Sequence, residues 1–372
     1  MLTLILILSL AVVCIVSLGV VTFGRFARDR RLAMAKLSAG GQVIRTRRGL
    51  VEYVVVGDSG PVVLLLHGGL GGWDQGVALG VELLSRQGTN PDYRQALDDG
   101  AALLAEPFRI VVPSRVGYLR TPLETGRTPA EGADAAAALL DKLGINDVAV
   151  VGVSGGGPTA LQFALRYPQR TRRLAMVCAI AKHHVQPDRT RNSVVGRIVF
   201  SRLGRWVFDF LSWFMHGIAM RYPAWMTRQL LRATETFDED RIRLRVADIM
   251  KKPEQVRWMQ GLIESLFPAG SRQVGLLNDL AQFAAIERYP VQQINCPTLV
   301  VHGRHEGNVP FDHAEFVAEN VPGAEFHIVE GCGHLIWLSD HADQARASVV
   351  KFLGQDREVG GTSARTKSRK RD

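Results

Sequence analysis

The stretch "VAVVGVSGGGPTALQFAL", residues 148–165, decides the fold. Its first half is an apolar run typical of a buried strand. Its second half resumes as a helix, with Pro158 suited to a first helical turn. Between the two halves, Gly152, Ser154 and Gly156 form a Gly-x-Ser-x-Gly pattern. A strand, this turn and an immediate helix predict a nucleophile elbow, which exposes the serine hydroxyl above a parallel sheet.

The glycines of this turn follow from its expected geometry. A side chain at Gly152 or Gly156 would collide with neighbouring backbone in so tight a turn. The helix that follows directs its free N–H groups and its dipole toward the reacting centre, which favours negative charge there. The sequence therefore predicts Ser154 as a nucleophile rather than as an idle turn residue.

Strand-like and helical segments alternate along most of the chain. The strand-like segments are LVEYVVVG, PVVLLLHGG, FRIVVP, DVAVVGVS, RRLAMVCAIA, CPTLVVHG and EFHIVEG. Continuous apolar strands separated by helices indicate an α/β fold, with a parallel sheet covered on both faces. Residues 42–57 are expected to form an antiparallel edge of that sheet.

The composition is that of a globular protein. The chain has 372 residues, of which 47% are hydrophobic and 22% charged, which excludes a disordered chain and allows a sizeable core. Four cysteines are too widely spaced for a metal motif or a disulfide framework, so buried reduced thiols are expected. The net charge of +9 is unevenly distributed, with basic clusters near both ends.

The N-terminal segment is predicted to lie outside the globular fold. Residues 2–23 carry no charge, and a helix of that length would cover the roughly 30 Å hydrocarbon core of a bilayer. Basic residues follow the run instead of preceding it, unlike in a cleaved signal peptide. We expect a single-pass transmembrane anchor over 1–24 and a basic juxtamembrane linker over 25–44. The positive-inside rule places the remainder of the chain in the cytoplasm.

The C-terminal segment, residues 355–372, reads as a disordered basic tail, since it has no apolar periodicity. No aromatic residues are interleaved with its basic ones. Loose attraction to anionic membrane lipid is therefore favoured over specific binding of nucleic acid.

A serine nucleophile needs a base, which is expected downstream. His334 lies in "EGCGHLIWL", a glycine loop just after the last strand-like segment, from which it can lean over the sheet edge. His302 and His327 lie inside strands, where core or pairing roles are expected. His305, His313 and His341 lack this loop context. The sequence predicts His334 as the general base.

The base in turn needs an acid that holds the imidazole in one tautomer. Glu306 follows the preceding strand, in "TLVVHGRHEGNVP". Glutamate reaches further than aspartate but accepts the same hydrogen bond. Glu306 is the predicted acid, and Asp312 is the alternative.

Two backbone N–H groups are needed to bind the oxyanion. Gly155, the residue after the nucleophile, supplies one. The loop after "VVLLLHGG" supplies the other from Gly69, with the neighbouring Leu70 as the alternative. His67 is expected to brace this loop rather than to react.

Four blocks in order, "HGGLGGW", "GVSGGGPTALQFALRYPQR", "LVVHGRHEGNVP" and "GCGH", resemble the α/β-hydrolase superfamily over roughly residues 45–354. The resemblance is to its esterase, proline-iminopeptidase-like and cofactor-free haloperoxidase-like branch. It implies an eight-stranded, mostly parallel sheet, hydrolysis through an acyl-enzyme, and no metal or cofactor. Glu306 stands where the family usually has aspartate, and "VVPSRVGYLRTP" stands where it has P-D-x-R-G-x-G-x-S. The segment 86–107 is longer than usual.

The same resemblance divides the chain into a hydrolase core, over 45–181 and 288–354, and a helical cap over 182–287. The cap sequence is rich in aromatic residues and arginine. It is expected to pack an apolar face over the pocket, and the alternative is that it also touches the membrane surface.

The sequence as a whole predicts a membrane-anchored serine hydrolase. Its expected substrate is a lipophilic small molecule with an apolar acyl group, joined as an ester, thioester or amide. The alternatives are an acyltransferase or perhydrolase using the same triad, and a non-catalytic membrane-anchored binding protein.

Overall fold

A single sheet of eight strands organises the chain, of which the computed structural model describes residues 2–86, 93–185 and 204–355. The description of residues 2–8 and 11 is limited to the backbone. The strands are β1 (Gln42–Thr46), β2 (Gly49–Val56), β3 (Val62–Leu66), β4 (Arg109–Pro113), β5 (Val148–Val153), β6 (Thr171–Val177), β7 (Thr298–Gly303) and β8 (Glu325–Val329). Their spatial order is β1-β2-β4-β3-β5-β6-β7-β8. The β1–β2 and β2–β4 pairs are antiparallel, and every other neighbouring pair is parallel.

Helices connect and cover these strands. They are α1 (Leu2–Gly40), α2 (Trp73–Leu84), α3 (Tyr93–Leu103), α4 (Pro129–Lys142), α5 (Gly157–Arg166), α6 (Gly204–Arg221), α7 (Pro223–Thr234), α8 (Glu239–Ile249), α9 (Pro253–Ser265), α10 (Gln273–Ala284), α11 (Asp312–Asn320) and α12 (Ala342–Gly354). Short 3-10 helices lie at Leu123–Thr125, Ser154–Gly156, Ala269–Ser271, Val291–Gln293 and Ile336–Leu338.

Both faces of the sheet are buried, which explains why its strands are apolar at successive positions. Side chains of a strand alternate between the two faces. In β3, Val63 and Leu65 join a core that includes α2 and α12. Leu64 and Leu66 join a second core that includes α4, α5 and α11. The predicted mostly parallel, eight-stranded sheet is confirmed, and residues 42–57 supply its antiparallel edge.

Helix α1 spans the predicted anchor and most of the predicted linker as one helix. Among the residues that the structure describes, no helix combines the length and the apolar character that crossing a bilayer requires. The expectation of a transmembrane helix is therefore not supported.

The C-terminal half of α1 packs on the cap. Phe26 is only 1% exposed and lies edge-on against the rings of Trp206, Phe210 and Trp213 on α6. Arg30 Nε donates to Asp209 Oδ2 at 2.6 Å, and the Asp209 side chain is fully buried. Residues predicted to form a linker thus contact a helix far along the chain.

Helices α6–α10 lie between β6 and β7, where the cap was predicted, and several of their side chains face the C-terminal ends of the strands. Parts of three predictions lie outside the described residues. These parts are residues 186–203 of the cap, residues 87–92 of the long segment and residues 356–372 of the basic tail. The predicted domain boundaries stay predictions.

Candidate active site

Ser154 lies in the sharp turn between β5 and α5, with a backbone φ of 50° in the left-handed region. The two flanking glycines are required by close contacts. A Cβ on Gly152 would lie 2.7 Å from the Cβ of Ala160, and a Cβ on Gly156 would lie 2.1 Å from the Leu66 carbonyl oxygen. The sequence therefore forms the tight turn that the glycine pattern predicted.

His334 and Glu306 are in direct contact. Glu306 Oε2 accepts a hydrogen bond from His334 Nδ1 at 2.7 Å, and the Glu306 side chain is fully buried. Glu306 Oε1 accepts from the backbone N–H groups of Asn308 and Val309 at 2.7 and 3.1 Å. The carboxylate is thus held from two sides, and the Nε2 atom of His334 is left available for other partners.

The alternative acid and the other histidines lie in different surroundings. Asp312 is 57% exposed and pairs with Lys182 at 2.7 Å. His302 Nε2 contacts the Val309 carbonyl oxygen, and His327 Nδ1 contacts Ser348 Oγ. The structure brings Glu306, rather than Asp312, to His334.

Burial and charge act in opposite directions on this pair. Burial disfavours the imidazolium, but the negative charge of Glu306 outweighs it, so the pKa of His334 lies above its ordinary value. Burial likewise tends to raise the pKa of Glu306, but His334, His302 and the backbone N–H of Asn308 together outweigh it, so the pKa is lowered. Glu306 is therefore ionised at neutral pH and stabilises a proton on His334.

The two predicted oxyanion donors lie next to each other. A Cβ built on Gly155 would lie 3.4 Å from the backbone nitrogen of Gly69. Gly69 is exposed, and a Cβ there would meet only Leu276, at 3.9 Å. Leu70, the alternative donor, has a left-handed φ of 52°.

A cavity of about 380 Å³ joins these groups. Ser154, Gly155, Gly69 and His334 line it from the strand ends. The cap contributes an apolar wall: Leu230, Trp258, Leu262, Leu266, Leu276 and Phe283. The nucleophile, the base and both oxyanion donors of the sequence prediction therefore face one apolar space.

The sequence prediction missed a charged group beside this cavity. Arg115 lies two residues after the end of β4 and forms a buried ion pair with Asp279 on α10, 2.6 Å from Arg115 Nη2 to Asp279 Oδ2. Tyr118 Oη donates to the same Asp279 oxygen at 2.7 Å. A signal was present in "VVPSRVGYLRTP", because it places an arginine at the carboxyl end of a buried strand. The partner, about 160 residues further along the chain, gave no such signal.

Cys178 was also missed as a site residue. It lines the cavity, and its sulfur atom lies within 4.8 Å of a carboxylate oxygen of Glu306. Burial raises the pKa of this thiol well above its ordinary value, and the charge of Glu306 adds to the effect. All four cysteines are free, but Cys14 is exposed and Cys296 is half-buried, so burial was wrongly predicted for these two.

Cys178, Glu306 and His334 are of residue types that bind metal ions, and their ligand atoms lie within 4.8 Å of one another. The Glu306 and His334 atoms already share a proton in a 2.7 Å hydrogen bond. This hydrogen bond accounts for the approach of Glu306 to His334, and the absence of a cofactor stays a prediction.

Comparison with known proteins gives one consistent family. Residues 61–340 match the family described as the alpha/beta hydrolase fold. The uncharacterized hydrolase YcgS of Bacillus subtilis (strain 168) is 29% identical over 309 residues, covering 82% of this chain and 95% of that protein. A 2-hydroxy-6-oxononadienedioate/2-hydroxy-6-oxononatrienedioate hydrolase of a Pseudomonas species is 24% identical over 312 residues, covering 82% and 93%. A solved structure, an alpha/beta hydrolase fold protein from Nakamurella multipartita, superposes with a TM-score of 0.69 at 30% identity, covering 84% of this chain and 99% of that one.

Proposed function

The chain belongs to the alpha/beta hydrolase family, and on that premise we propose that it is a serine hydrolase of carboxylic esters. Ser154 is the nucleophile, His334 the general base and Glu306 the acid that orients it. The observation that carries the proposal is the 2.7 Å hydrogen bond from His334 to a buried Glu306, with His334 and Ser154 lining one cavity. The strained turn at Ser154 does not itself require a histidine that is hydrogen-bonded to a buried carboxylate. The presence of His334 in the same cavity therefore favours a catalytic role.

The reaction follows from the placement of these groups. His334 takes the proton from the Ser154 hydroxyl as the oxygen attacks the ester carbonyl carbon. The N–H groups of Gly69 and Gly155 stabilise the oxyanion, and each such donor contributes about 3–4 kcal/mol in comparable sites. His334 then protonates the leaving alcohol. Water, deprotonated by His334, attacks the acyl-enzyme and releases the acid.

The lining of the cavity favours a neutral, apolar acyl group. The described part of the lining is mostly aliphatic and aromatic, and Asp279 contributes a carboxylate to it. Arg115 neutralises Asp279, and His334 must be neutral to act as a base. The name of the Pseudomonas relative indicates a dicarboxylate substrate. We propose that this protein instead acts on lipophilic esters without a carboxylate.

The test is labelling with a fluorophosphonate probe, followed by peptide mass analysis. We expect stoichiometric labelling of Ser154, and we expect Ser154→Ala to lose labelling and nearly all hydrolysis of p-nitrophenyl butyrate. Ser348→Ala is the matched control, because Ser348 also contacts a histidine, His327, but does not line the cavity. A wild-type protein that is not labelled would favour the non-catalytic binding protein.

The same machinery supports transfer of the acyl group to an acceptor other than water. An acyltransferase or perhydrolase would form the same acyl-enzyme and would be labelled equally. Offering short alcohols or hydrogen peroxide together with the ester separates these reactions, because hydrolysis alone gives only the free acid.

We further propose attachment to lipid through the apolar part of α1. Nine of its apolar residues are 58–68% exposed: Leu10, Val12, Val13, Ile15, Val16, Leu18, Val20, Val21 and Phe23. An exposed apolar surface of this extent on one helix favours contact with another apolar phase. A position of the catalytic domain in the cytoplasm stays a prediction from the basic residues that follow this segment.

A further inference from the structure

The peptide unit between Gly68 and Gly69 is held firmly on its carbonyl side. The Gly68 carbonyl oxygen lies 2.8 Å from His67 Nδ1 and accepts from Arg115 Nη2 at 3.2 Å. The backbone N–H of Arg115 donates to His67 Nε2 at 2.9 Å, so Nδ1 carries the proton of the neutral ring. Burial, together with the positive charge of Arg115, lowers the pKa of His67 and keeps the ring neutral.

Holding this carbonyl also fixes the direction of an oxyanion donor. In a planar trans peptide, the C=O and the N–H point in opposite directions. The N–H of the same unit belongs to Gly69, which lies beside Gly155 and lines the cavity with it. Because Gly68 and Gly69 are intrinsically flexible, the orientation of this N–H depends on the groups that hold the carbonyl.

Arg115 is the centre of these contacts. Its side chain is only 6% exposed, and its Nε donates to the His67 carbonyl oxygen at 2.7 Å. The two terminal nitrogens donate to the two oxygens of Asp279 at 3.0 and 2.6 Å. One planar guanidinium therefore connects two successive carbonyls of the oxyanion loop to a carboxylate on cap helix α10.

We propose that Arg115 is a positioning residue that aims the Gly69 N–H at the oxyanion, and that Asp279 on the cap holds Arg115 in that position. The inference rests on the proposed serine hydrolase function and deepens it. Transition-state stabilisation requires donors that are already oriented, so a loosened Gly69 peptide lowers kcat more than it weakens substrate binding. The position of the cap on the core therefore affects the orientation of the Gly69 N–H, through Asp279 and Arg115.

A second ion pair in the same interface supplies a matched control. Arg272 donates to both oxygens of Asp74 at 3.0 and 2.8 Å, and both side chains are fully buried. Tyr93 Oη donates to Asp74 at 2.6 Å, just as Tyr118 Oη donates to Asp279. Within the described residues, no hydrogen bond joins Arg272 to the carbonyls of residues 67–69.

The decisive variants are Arg115→Lys and Arg272→Lys. Lysine keeps a positive charge opposite each aspartate, but a single ammonium nitrogen cannot reach both loop carbonyls and the carboxylate. We expect Arg115→Lys to lower kcat for p-nitrophenyl butyrate about 10- to 100-fold, with KM within about threefold, since loss of a whole oxyanion donor lowers kcat about 100- to 1000-fold. Phosphonylation of Ser154 slows in parallel. Arg272→Lys keeps the wild-type kcat per folded molecule.

Equal kcat values for the two lysine variants, both near wild type, would overturn the inference. If Arg115→Lys does not fold, Tyr118→Phe replaces it and Tyr93→Phe becomes the control, because each removes one hydroxyl and no charge. A lower kcat in Tyr118→Phe alone supports the inference, and equal values overturn it. Failure of the wild-type protein to be labelled at Ser154 is a separate result, which would instead remove the proposed function.

Discussion

Burial and the charge of Glu306 have opposite effects on the pKa of His334, and this pKa determines the pH range in which His334 can act as a base. In the proposed mechanism it accepts the Ser154 proton only as neutral imidazole, yet the buried carboxylate of Glu306 favours the protonated ring and raises its pKa. The same charge stabilises the imidazolium that forms in the transition state. The interaction with Glu306 that stabilises the imidazolium therefore also raises the pKa of His334. As a result, the enzyme loses activity at a higher pH when the solution is acidified.

We expect kcat/KM to fall as the pH falls through the pKa of His334, with a midpoint above the ordinary histidine value of about 6.5. Glu306→Gln removes the charge that raises this pKa and leaves burial, which lowers it, so the acid limb moves to lower pH. The maximal rate falls about 1000- to 10,000-fold. Measured pH–rate profiles test both effects.

Asp312→Asn is the control for this experiment, because Asp312 is exposed and pairs with Lys182. It is expected to keep the wild-type profile. A large loss of rate in this variant, with Glu306→Gln nearly unaffected, would show that the acid has been misassigned.

At the scale of secondary-structure elements, helix α1 helps to hold the cap in place through its contacts with α6. Asp209 on α6 is fully buried, and its partners are Arg30 Nε and the backbone N–H of Gly270. Arg30 also lies over the ring of Trp206, 4.3 Å from its centroid. Helix α1 thus supplies the positive charge that a buried carboxylate on another helix requires.

Arg30→Ala is expected to lower the free energy of unfolding by about 2–3 kcal/mol, because it leaves Asp209 buried without its cation. The figure lies below the value of about 3–5 kcal/mol for a fully buried pair, since Arg30 is 26% exposed. Arg28→Ala, on the same helix, removes a pair whose arginine is 67% exposed and is expected to change the free energy by about 0–1 kcal/mol. Urea denaturation of both variants measures the difference, and equal losses would contradict the assigned role of Asp209.

Local patterns in the sequence were sufficient for much of this fold. The apolar run into Gly152 and Ser154 predicted the elbow because the turn is determined by neighbours in the chain. The contact between His334 and Glu306 could be predicted because each follows a strand of a parallel sheet, so both lie at one edge of it. The ion pair from Arg115 to Asp279 was not found, since it depends on how the cap sits, and no local pattern encodes that.

The N-terminal helix shows a different limit. The apolar run predicted an anchor over 1–24 and the basic residues after it predicted a linker over 25–44, whereas the structure has one helix through Gly40. A run of apolar residues has the same composition whether it faces lipid, solvent or protein. The packing of Phe26 on the cap depends on rings at Trp206, Phe210 and Trp213, which are distant in sequence.

At the scale of the whole molecule, exposed apolar side chains lie on both α1 and the described part of the cap. Beyond the apolar residues of α1, cap residues Trp206, Phe214, Tyr222 and Trp225 are about half exposed, at 50%, 51%, 58% and 48%. Aromatic side chains with nearby arginines are typical of surfaces that contact a membrane interface.

We expect the full chain to float with both neutral and anionic vesicles, since contact through α1 is apolar. A variant lacking residues 1–24 is expected to keep only a weaker binding to anionic vesicles that decreases with added salt, because the remaining attraction is electrostatic. Co-flotation at two salt concentrations measures this. Failure of the full chain to float with either vesicle type would refute attachment through α1.

The cavity is lined by the core on one side and by the cap on the other. This arrangement affects how the substrate specificity of such an enzyme can change. In the proposed mechanism the reacting groups lie at strand ends and loops of the core, whereas the cap contributes bulky residues such as Trp258, Leu262 and Leu276 to the cavity. Exchanges among those residues alter which acyl groups fit while leaving proton transfer untouched. Asp279 is the exception, because it belongs to the cap yet holds a core arginine. If the proposed role of Asp279 is correct, laboratory selection for new substrates is expected to change the apolar cap residues and to retain Asp279.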